Sequence, residues 1–176
     1  MATYVAFLRA INLGANRKFA KGDIIAATEG AGFSDVATHI NTGNVRLATS
    51  LRSRGKIEKA LEAAYLERAG FAVPTIVFTA KEICAIVDDA EEVAAGHGGT
   101  HYVSLLKDEP TAATAKEIEQ LGDERDFARV RGRAVHLLVT DPYHQARLSN
   151  AEVEKALGVA TNRNLRVIRA LAEKWC

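Results

Sequence analysis

The feature that most constrains the fold of this chain is the order of β-rich and helix-forming segments in its first half. β-rich runs occupy residues 3–8, 36–41, 45–49 and 75–79. Apolar residues recur at helical spacing over residues 53–69, and Asp23 is the expected N-cap of a shorter helix. Gly43 and Asn44 supply the left-handed positions of a hairpin between the second and third runs. The order β-α-β-β-α-β predicts a ferredoxin-like unit.

The second half repeats much of this order after a linking helix at residues 81–90. It contains predicted strands at 101–106, 127–130 and 134–139 and predicted helices at 111–121, 149–157 and 164–175. No final strand is predicted. We therefore expect an α+β fold with two ferredoxin-like half-domains, the second irregular with an extra C-terminal helix. The predicted domains are a first half at 1–88, a connecting loop at 89–99, and a second α+β half with C-terminal helices at 100–176.

Composition narrows the class of protein. The chain has 176 residues, of which 48% are hydrophobic, and its apolar runs are far shorter than the ~18 residues of a membrane span. No signal or transit segment is indicated, so we predict a cytoplasmic protein with no membrane partner. Cys84 and Cys176 are far apart in sequence and form no C-x-x-C motif, which favours a reducing compartment and argues against a disulfide framework. Cys84 is expected to be a buried small hydrophobe.

The charge is unevenly distributed although the net charge is only +1. Residues 1–81 and 129–176 each carry a net charge of +5, whereas residues 82–128 carry −9. This division is compatible with an anion-binding surface built from the two ends, and equally with a mixed, solvated surface. The pI near 7.8 is below that of a dedicated basic nucleic-acid-binding domain.

Two polar connections should meet at one edge of the first sheet. In a β-α-β-β-α-β unit the third strand lies antiparallel between the first two, so the loop after strand one and the turn between strands two and three share that edge. The candidate ligand-binding residues there are Arg9, Asn12, Gly14, Arg17, Asn41, Thr42, Gly43 and Asn44. Guanidinium and amide groups beside a helix N-terminus suit phosphate or carboxylate. The alternative is that the Asn residues only close turns and Arg9 is a surface residue.

A third polar cluster precedes the last helix. It contains the candidate ligand-binding residues Thr161, Arg163 and Asn164. Thr161 or Asn164 can cap that helix, and the sequence pattern leaves open whether the cluster joins the other two.

These three motifs resemble a known family. Arg9-x-Ile11-Asn12-Leu13-Gly14, Thr42-Gly43-Asn44-Val45 and Thr161-x-Arg163-Asn164 are similar, in order and separation, to the bacterial family called domain of unknown function 1697. The resemblance extends from about residue 4 to residue 171. It implies a two-part α+β protein with ferredoxin-like halves and no established activity. It also implies one candidate set of site residues, which comprises Arg9, Asn12, Gly14, Gly43, Asn44, Thr161, Arg163 and Asn164.

The motifs of several enzyme classes are absent from the sequence. There is no P-loop, dinucleotide-binding, serine-hydrolase or zincin signature, and His97 and His101 flank glycines instead of lying on one helix face. We predict no metal and no cofactor.

The sequence favours binding of a small anionic ligand, phosphorylated or carboxylate. The alternatives are a single-stranded nucleic-acid-binding module, or an enzyme acting on a phosphate-containing substrate with His39 as a candidate acid or base. The sequence does not indicate which oligomeric state the protein adopts.

Overall fold

The structure, a computed structural model, describes residues 1–140 and 142–176. The chain forms two compact units. The first comprises Met1–Ala80 with Trp175, and the second comprises Lys81–Lys174 with Cys176. Residues 81–88, which the sequence analysis places in the first half, thus belong to the second unit. Within the described residues, no helix is long and apolar enough to cross a membrane.

The first unit is a four-stranded antiparallel sheet covered by two helices. Its elements are β1 (Ala2–Leu8), α1 (Lys21–Gly30), β2 (Ser34–His39), β3 (Asn44–Thr49), α2 (Arg54–Ala69) and β4 (Thr75–Thr79). The strand order is β2-β3-β1-β4, so β3 lies between β1 and β2 as the crossover rule predicts. The end of β1, the β2–β3 turn and the start of β4 consequently share one edge of the sheet.

Both faces of β1 are buried. Tyr4, Ala6 and Leu8 of β1 pack into the core beneath the helices, whereas Val5 and Phe7 lie on the opposite face and are also buried. This arrangement explains why β1 is a continuous apolar run without polar alternation.

The second unit has the same strand arrangement, with one additional helix before its first strand in the sequence and one after its last strand. Its elements are α3 (Ala80–Val93), β5 (Thr100–Leu106), α4 (Ala112–Glu119), β6 (Phe127–Arg131), β7 (Ala134–Val139), α5 (Asn150–Leu157), β8 (Ala160–Asn164) and α6 (Leu165–Trp175). A short 3₁₀ turn, Tyr143–Gln145, precedes α5. The sheet order is β6-β7-β5-β8, and every neighbouring pair is antiparallel. The α+β fold with two half-domains and the added C-terminal helix are confirmed.

The expectation that the second half lacks a last strand is wrong. Ala160–Asn164 forms β8, which pairs with β5 from Leu106↔Ala160 to Tyr102↔Asn164. The segment is polar and has no apolar alternation, so its strand conformation comes from pairing with β5 and not from its own pattern. The second half is therefore as complete as the first.

The start of α1 also differs from the prediction. The helix begins at Lys21, with Ala20 as the N-cap, and Asp23 lies within its first turn. Asp23 accepts hydrogen bonds from Arg68 of α2 at 2.6 and 2.8 Å. The carboxylate that could cap the helix is thus engaged between the two helices.

Helix glutamates cover the outer edges of three of the strands. Glu58 and Glu62 of α2 accept hydrogen bonds from the backbone N–H groups of Val77 and Thr75 in β4. In the second unit Glu119 accepts from Val130 of β6, and Glu154 accepts from Ala160 of β8. Edge-strand donors satisfied in this way cannot template pairing with another chain.

The two cysteines are paired, contrary to expectation. Cys84 of α3 and Cys176, the residue after α6, form a disulfide with their Cα atoms 6.7 Å apart. The sequence could not show this because the pairing depends on how α3 and α6 are placed, not on cysteine spacing.

An ion pair between a buried arginine and a partly exposed glutamate attaches α3 to the sheet of the second unit. The Arg133 side chain, 4% exposed, donates to Glu82 at 3.0 Å and to the carbonyl of Leu106 at 3.1 Å. We expect Glu82→Gln to lower the free energy of unfolding by about 2 kcal/mol, because it removes a carboxylate charge that faces a buried guanidinium. The control is Glu92→Gln on the same helix, since Glu92 is 78% exposed and lies 4.0 Å from Arg131. Urea denaturation should show a change of less than about 0.5 kcal/mol for the control. Equal effects in the two variants would contradict this account.

Candidate functional site

The first two predicted polar clusters meet at one edge of the first sheet. The N–H of Leu8, the last residue of β1, donates to the carbonyl of Gly43 at 2.8 Å. The Asn12 amide donates to the carbonyl of Asn41 at 3.0 Å. The loop after β1 and the β2–β3 turn are therefore in direct contact, as the topology requires.

Asn12 holds this loop in its folded shape. Its Oδ1 accepts from the N–H of Phe19 at 2.9 Å, and its Nδ2 donates to the carbonyl of Phe19 at 3.2 Å as well as to Asn41. Its backbone is in the left-handed region at φ 54°, which Asn tolerates better than most residues. Every polar atom of this side chain bonds to the backbone, so Asn12 is a positioning residue.

Arg17 has a similar role. Its guanidinium donates to the carbonyls of Ala10 at 2.6 Å and Ala72 at 2.7 Å and lies 4.7 Å above the Phe71 ring. These contacts attach the loop to the segment before β4. Arg9 is half-buried at the start of the loop, and its N–H donates to the carbonyl of Pro74. Gly14 lies at the exposed tip.

The β2–β3 turn is held from inside by Asn44. This buried side chain donates to the carbonyl of His39 and to the hydroxyl of Thr42, both at 3.0 Å. Gly43 has φ 77°, and a Cβ there would lie 2.7 Å from the Cβ of Leu8. Only glycine allows the turn to approach β1 this closely.

The N-terminus of α1 opens at the same edge. Among the described residues no side chain caps this helix, whereas α2, α4, α5 and α6 are capped by Ser53, Thr111, Ser149 and Asn164. The N–H groups of the first turn of α1 are the orphan donors of any helix start. Exposed Lys18 and Lys21 flank this turn.

A small cavity lies beside this helix start. It measures about 10 Å³, the space of one water molecule, and its lining includes Asn12, Lys21, Thr38 and Asn41. The Thr38 hydroxyl is buried and has no hydrogen-bond partner within the described chain. A ligand group larger than water would therefore bind at the mouth of the cavity and not inside it.

Backbone strain is concentrated at the same edge. Five described non-glycine residues have positive φ, and four of them, Ala10, Asn12, Arg17 and Ile40, lie in these two connections. Each left-handed residue costs on the order of 1 kcal/mol, most for β-branched Ile40. Strained residues that cluster in this way are typical of functional sites, where the strained backbone preorganises the groups that bind a ligand.

The third predicted cluster lies in the second unit. Arg163 is buried in β8, donates to the Thr161 hydroxyl at 2.9 Å and to the Asn162 carbonyl at 2.8 Å, and has its pKa lowered to about 10 by burial. Asn164 caps α6 by accepting from the N–H of Arg166. Thr161 and Arg163 thus belong to a strand, and Asn164 is a helix cap.

The second unit also contains a buried histidine pair that the sequence analysis missed. His101 Nε2 on β5 lies 2.9 Å from His136 Nδ1 on β7. The other ring nitrogen of each is buried and has no hydrogen-bond partner within the described chain. Burial lowers the pKa of both rings to about 4. Repulsion from His136, Arg169 and His97 lowers the pKa of His101 further. Repulsion from Arg131 lowers the pKa of His136 further. The described residues contain no group of three metal-ligating side chains, and surrounding cations disfavour a metal ion at this pair.

Replacing Asn12 should open the loop. We expect Asn12→Ala to lower the free energy of unfolding by about 2–3 kcal/mol, since three hydrogen bonds and the tolerance for positive φ are lost together. The control is Asn16→Ala in the same loop, an exposed side chain expected to change stability by less than about 0.5 kcal/mol. Chemical denaturation measures both. A neutral Asn12→Ala would show that the loop does not depend on this amide.

Comparisons with known proteins agree with the fold and the resemblance. A family model described as "Protein of unknown function (DUF1697)" matches residues 1–136. The chain belongs to the DUF1697 family. The matched part of this DUF1697 protein includes the first two polar clusters, and the third lies beyond it. No curated protein matches the chain.

A solved structure shares the fold of this DUF1697 protein. It is that of the conserved bacterial protein SP0830 from Streptococcus pneumoniae, with a TM-score of 0.73 over 98% of this chain and 97% of the other. The two sequences are 14% identical, so the likeness concerns the fold alone.

Proposed function

We propose that this DUF1697 protein binds a small anionic ligand, phosphorylated or carboxylate, at the N-terminus of α1. The observation that carries the proposal is the uncapped first turn of α1, flanked by Lys18 and Lys21 and placed against the loop and turn fixed by Asn12 and Asn44. Helix N–H groups and the positive end of the helix dipole bind phosphate and carboxylate oxygens. In this proposal the N–H groups of Lys21 and Gly22 donate to the anion, and Lys18 and Lys21 supply the charge.

The predicted site residues divide into two roles within this proposal. Asn12, Arg17, Gly43 and Asn44 position the backbone, while exposed Asn41 and Thr42 line the approach to the helix start. Thr38 is added because its hydroxyl lies at the cavity beside Lys21. Arg163, Thr161 and Asn164 are not needed by this site.

The nucleic-acid alternative receives less support from the first sheet. Modules of the RRM type stack bases on exposed aromatic rings of the sheet. Here Phe7 and Phe78, on the face away from the helices, are 0% and 2% exposed and pack edge-to-face on each other.

An enzyme acting on a phosphate-containing substrate remains an alternative, with half-buried His39 at the end of β2 as its candidate acid or base. A cytoplasmic location is part of the proposal.

Thermal unfolding in the presence of inorganic phosphate or citrate tests the proposal. A bound anion at about 100 times its Kd should raise the melting temperature by about 5–10 °C, and Lys21→Ala should reduce that rise by at least half. Lys56→Ala is the matched control. Lys56 lies in the first turn of α2, a helix capped by Ser53 that starts at the opposite edge of the sheet because β3 runs antiparallel to β1. An equal rise in the wild type and both variants indicates general salt stabilisation and contradicts the proposed site.

A further inference from the structure

We infer that the edge of the first sheet formed by the loop after β1 and the β2–β3 turn, the loop edge, is a docking surface for an anionic lipid bilayer. The inference goes beyond the proposed function and does not depend on it, because two exposed apolar side chains carry it and neither offers a hydrogen bond to a free anion. The prediction of no membrane partner rests on the lack of a spanning segment in the sequence, and a peripheral contact needs no such segment.

The loop edge presents two large apolar side chains to solvent. Leu13 is 63% exposed and Ile40 is 48% exposed. They are the chain neighbours of Asn12 and Asn41, and the Asn12 amide donates to the Asn41 carbonyl at 3.0 Å. The two apolar residues therefore lie on connections that are in direct contact. Apolar residues grouped on an exposed surface and rimmed by polar groups are typical of interaction sites.

Neither packing nor backbone preference accounts for an isoleucine at position 40. Its φ is 50°, a conformation that a β-branched residue adopts at a cost and that Asn or Gly adopts more easily. The residue is exposed, so burial within the protein recovers little of that cost. An apolar surface outside the protein would cover this side chain and supply the missing burial.

Cations accompany these apolar side chains, and no acidic residue lies among them in sequence. The turn at residues 40–44 contains no charged residue, and residues 9–22 contain no Asp or Glu but four cations, Arg9, Arg17, Lys18 and Lys21. Lys18 and Lys21 are exposed. Arg17 donates to two backbone carbonyls, which leave its positive charge in place. The loop edge is therefore complementary in charge to a surface of anionic headgroups.

A bilayer supplies both kinds of partner at the depths that the loop edge requires. Headgroup phosphates attract lysine and arginine at the surface, and the acyl boundary beneath them accepts apolar side chains. In this arrangement Leu13 and Ile40 enter the acyl boundary while Lys18 and Lys21 stay at the headgroups. The first sheet then meets the bilayer with the edge at which β1 ends.

Co-sedimentation of the full chain with vesicles at low ionic strength tests the inference. Vesicles of equal parts phosphatidylcholine and phosphatidylglycerol should bind the protein at least about tenfold more strongly than vesicles of phosphatidylcholine alone. The double variant Leu13→Asn/Ile40→Asn should bind the anionic vesicles at least about tenfold more weakly than the wild type, because it removes apolar burial and retains every charge. Asn tolerates positive φ, so the melting temperature of this variant should not fall.

Leu51→Asn is the matched control. Leu51 is 38% exposed and follows β3, which ends at the opposite edge of the sheet, so this variant should bind anionic vesicles as the wild type does. A wild type that does not bind anionic vesicles, or that binds them no better than the double variant or no better than neutral vesicles, would overturn the inference.

Thermal unfolding of the double variant with phosphate separates this inference from the anion site. The variant retains Lys21, so it should keep the rise in melting temperature that phosphate causes in the wild type. Weak vesicle binding together with a retained rise supports docking through the apolar side chains. Loss of both would show a general disturbance of the loop edge and would also overturn the inference.

Discussion

Acidification from about pH 7 to about pH 5 should lower the free energy of unfolding by about 2 kcal/mol for each of His101 and His136. Both rings have a pKa near 4 in the folded protein, well below their ordinary value of 6.5. The unfolded chain therefore binds more protons than the folded chain in this interval. The stabilisation is fully present above pH 6.5 and is lost as the pH falls toward 4.

The interval is chosen so that carboxylates contribute little. Ordinary Asp and Glu side chains titrate near pH 4, and the backbone hydrogen bonds of Asp123 hold the pKa of that carboxyl below its usual range. A loss of stability between pH 7 and pH 5 can therefore be assigned to histidine. The effect is large because both rings are buried and share one hydrogen bond, and within the described part of the chain the other nitrogen of each ring has no hydrogen-bond partner.

Urea denaturation at several pH values measures this dependence. His136→Leu removes one titrating ring at similar volume and should reduce the acid-induced loss by about half. His144→Gln is the control, because His144 is exposed in the 3₁₀ turn and should leave the pH profile unchanged. A wild-type profile that is flat between pH 7 and pH 5 would contradict the assignment.

A side chain at Gly43 should cause the second large effect. In Gly43→Ala the new Cβ would lie 2.7 Å from the Cβ of Leu8 and 3.0 Å from Cδ1 of Ile11, and the backbone would keep its φ of 77°. Overpacking and left-handed strain together should cost about 2–4 kcal/mol. The turn must move away from β1, so the approach to the α1 N-terminus should be disturbed as well.

Gly14→Ala separates the two causes. Gly14 also has positive φ, at 65°, but a Cβ there meets no atom within 4 Å. Its substitution should cost only the backbone term, about 1 kcal/mol. Denaturant midpoints of the two variants measure the difference. Equal losses would mean that the contact between Gly43 and β1 contributes nothing beyond strain.

The order of elements could be predicted because it depends on local patterns. Ser53 and Gly70 mark α2 at both ends, and the hairpin through Gly43 follows from turn chemistry. The crossover rule then places the two polar connections at one edge. β8 could not be predicted in this way, because its polar residues become a strand only through pairing with β5.

The meeting of the loop after β1 with the β2–β3 turn could be predicted from topology, but the hydrogen bonds of their side chains could not. The sequence pattern predicts Asn12 and Arg17 as ligand contacts, whereas in the structure both side chains donate to nearby backbone carbonyls and close the loop. The sequence does not predict the uncapped start of α1, because Asp is a favoured N-cap residue and Ala is not, so Asp23 is the expected N-cap instead of Ala20. The absence of a capping residue at Ala20 was the available signal. The His101–His136 and Cys84–Cys176 pairs depend on strand register and helix placement, which no local pattern encodes.

The central claim is that an anion binds at the first turn of α1. The most direct measurement is an amide NMR titration of the full chain with inorganic phosphate, with sodium chloride at equal ionic strength as the reference. The proposed site predicts that the N–H resonances of Lys21, Gly22 and Asp23 shift first and saturate together, with a Kd of about 1 mM or lower. Shifts that do not saturate, or that begin at residues away from this helix start, would contradict it.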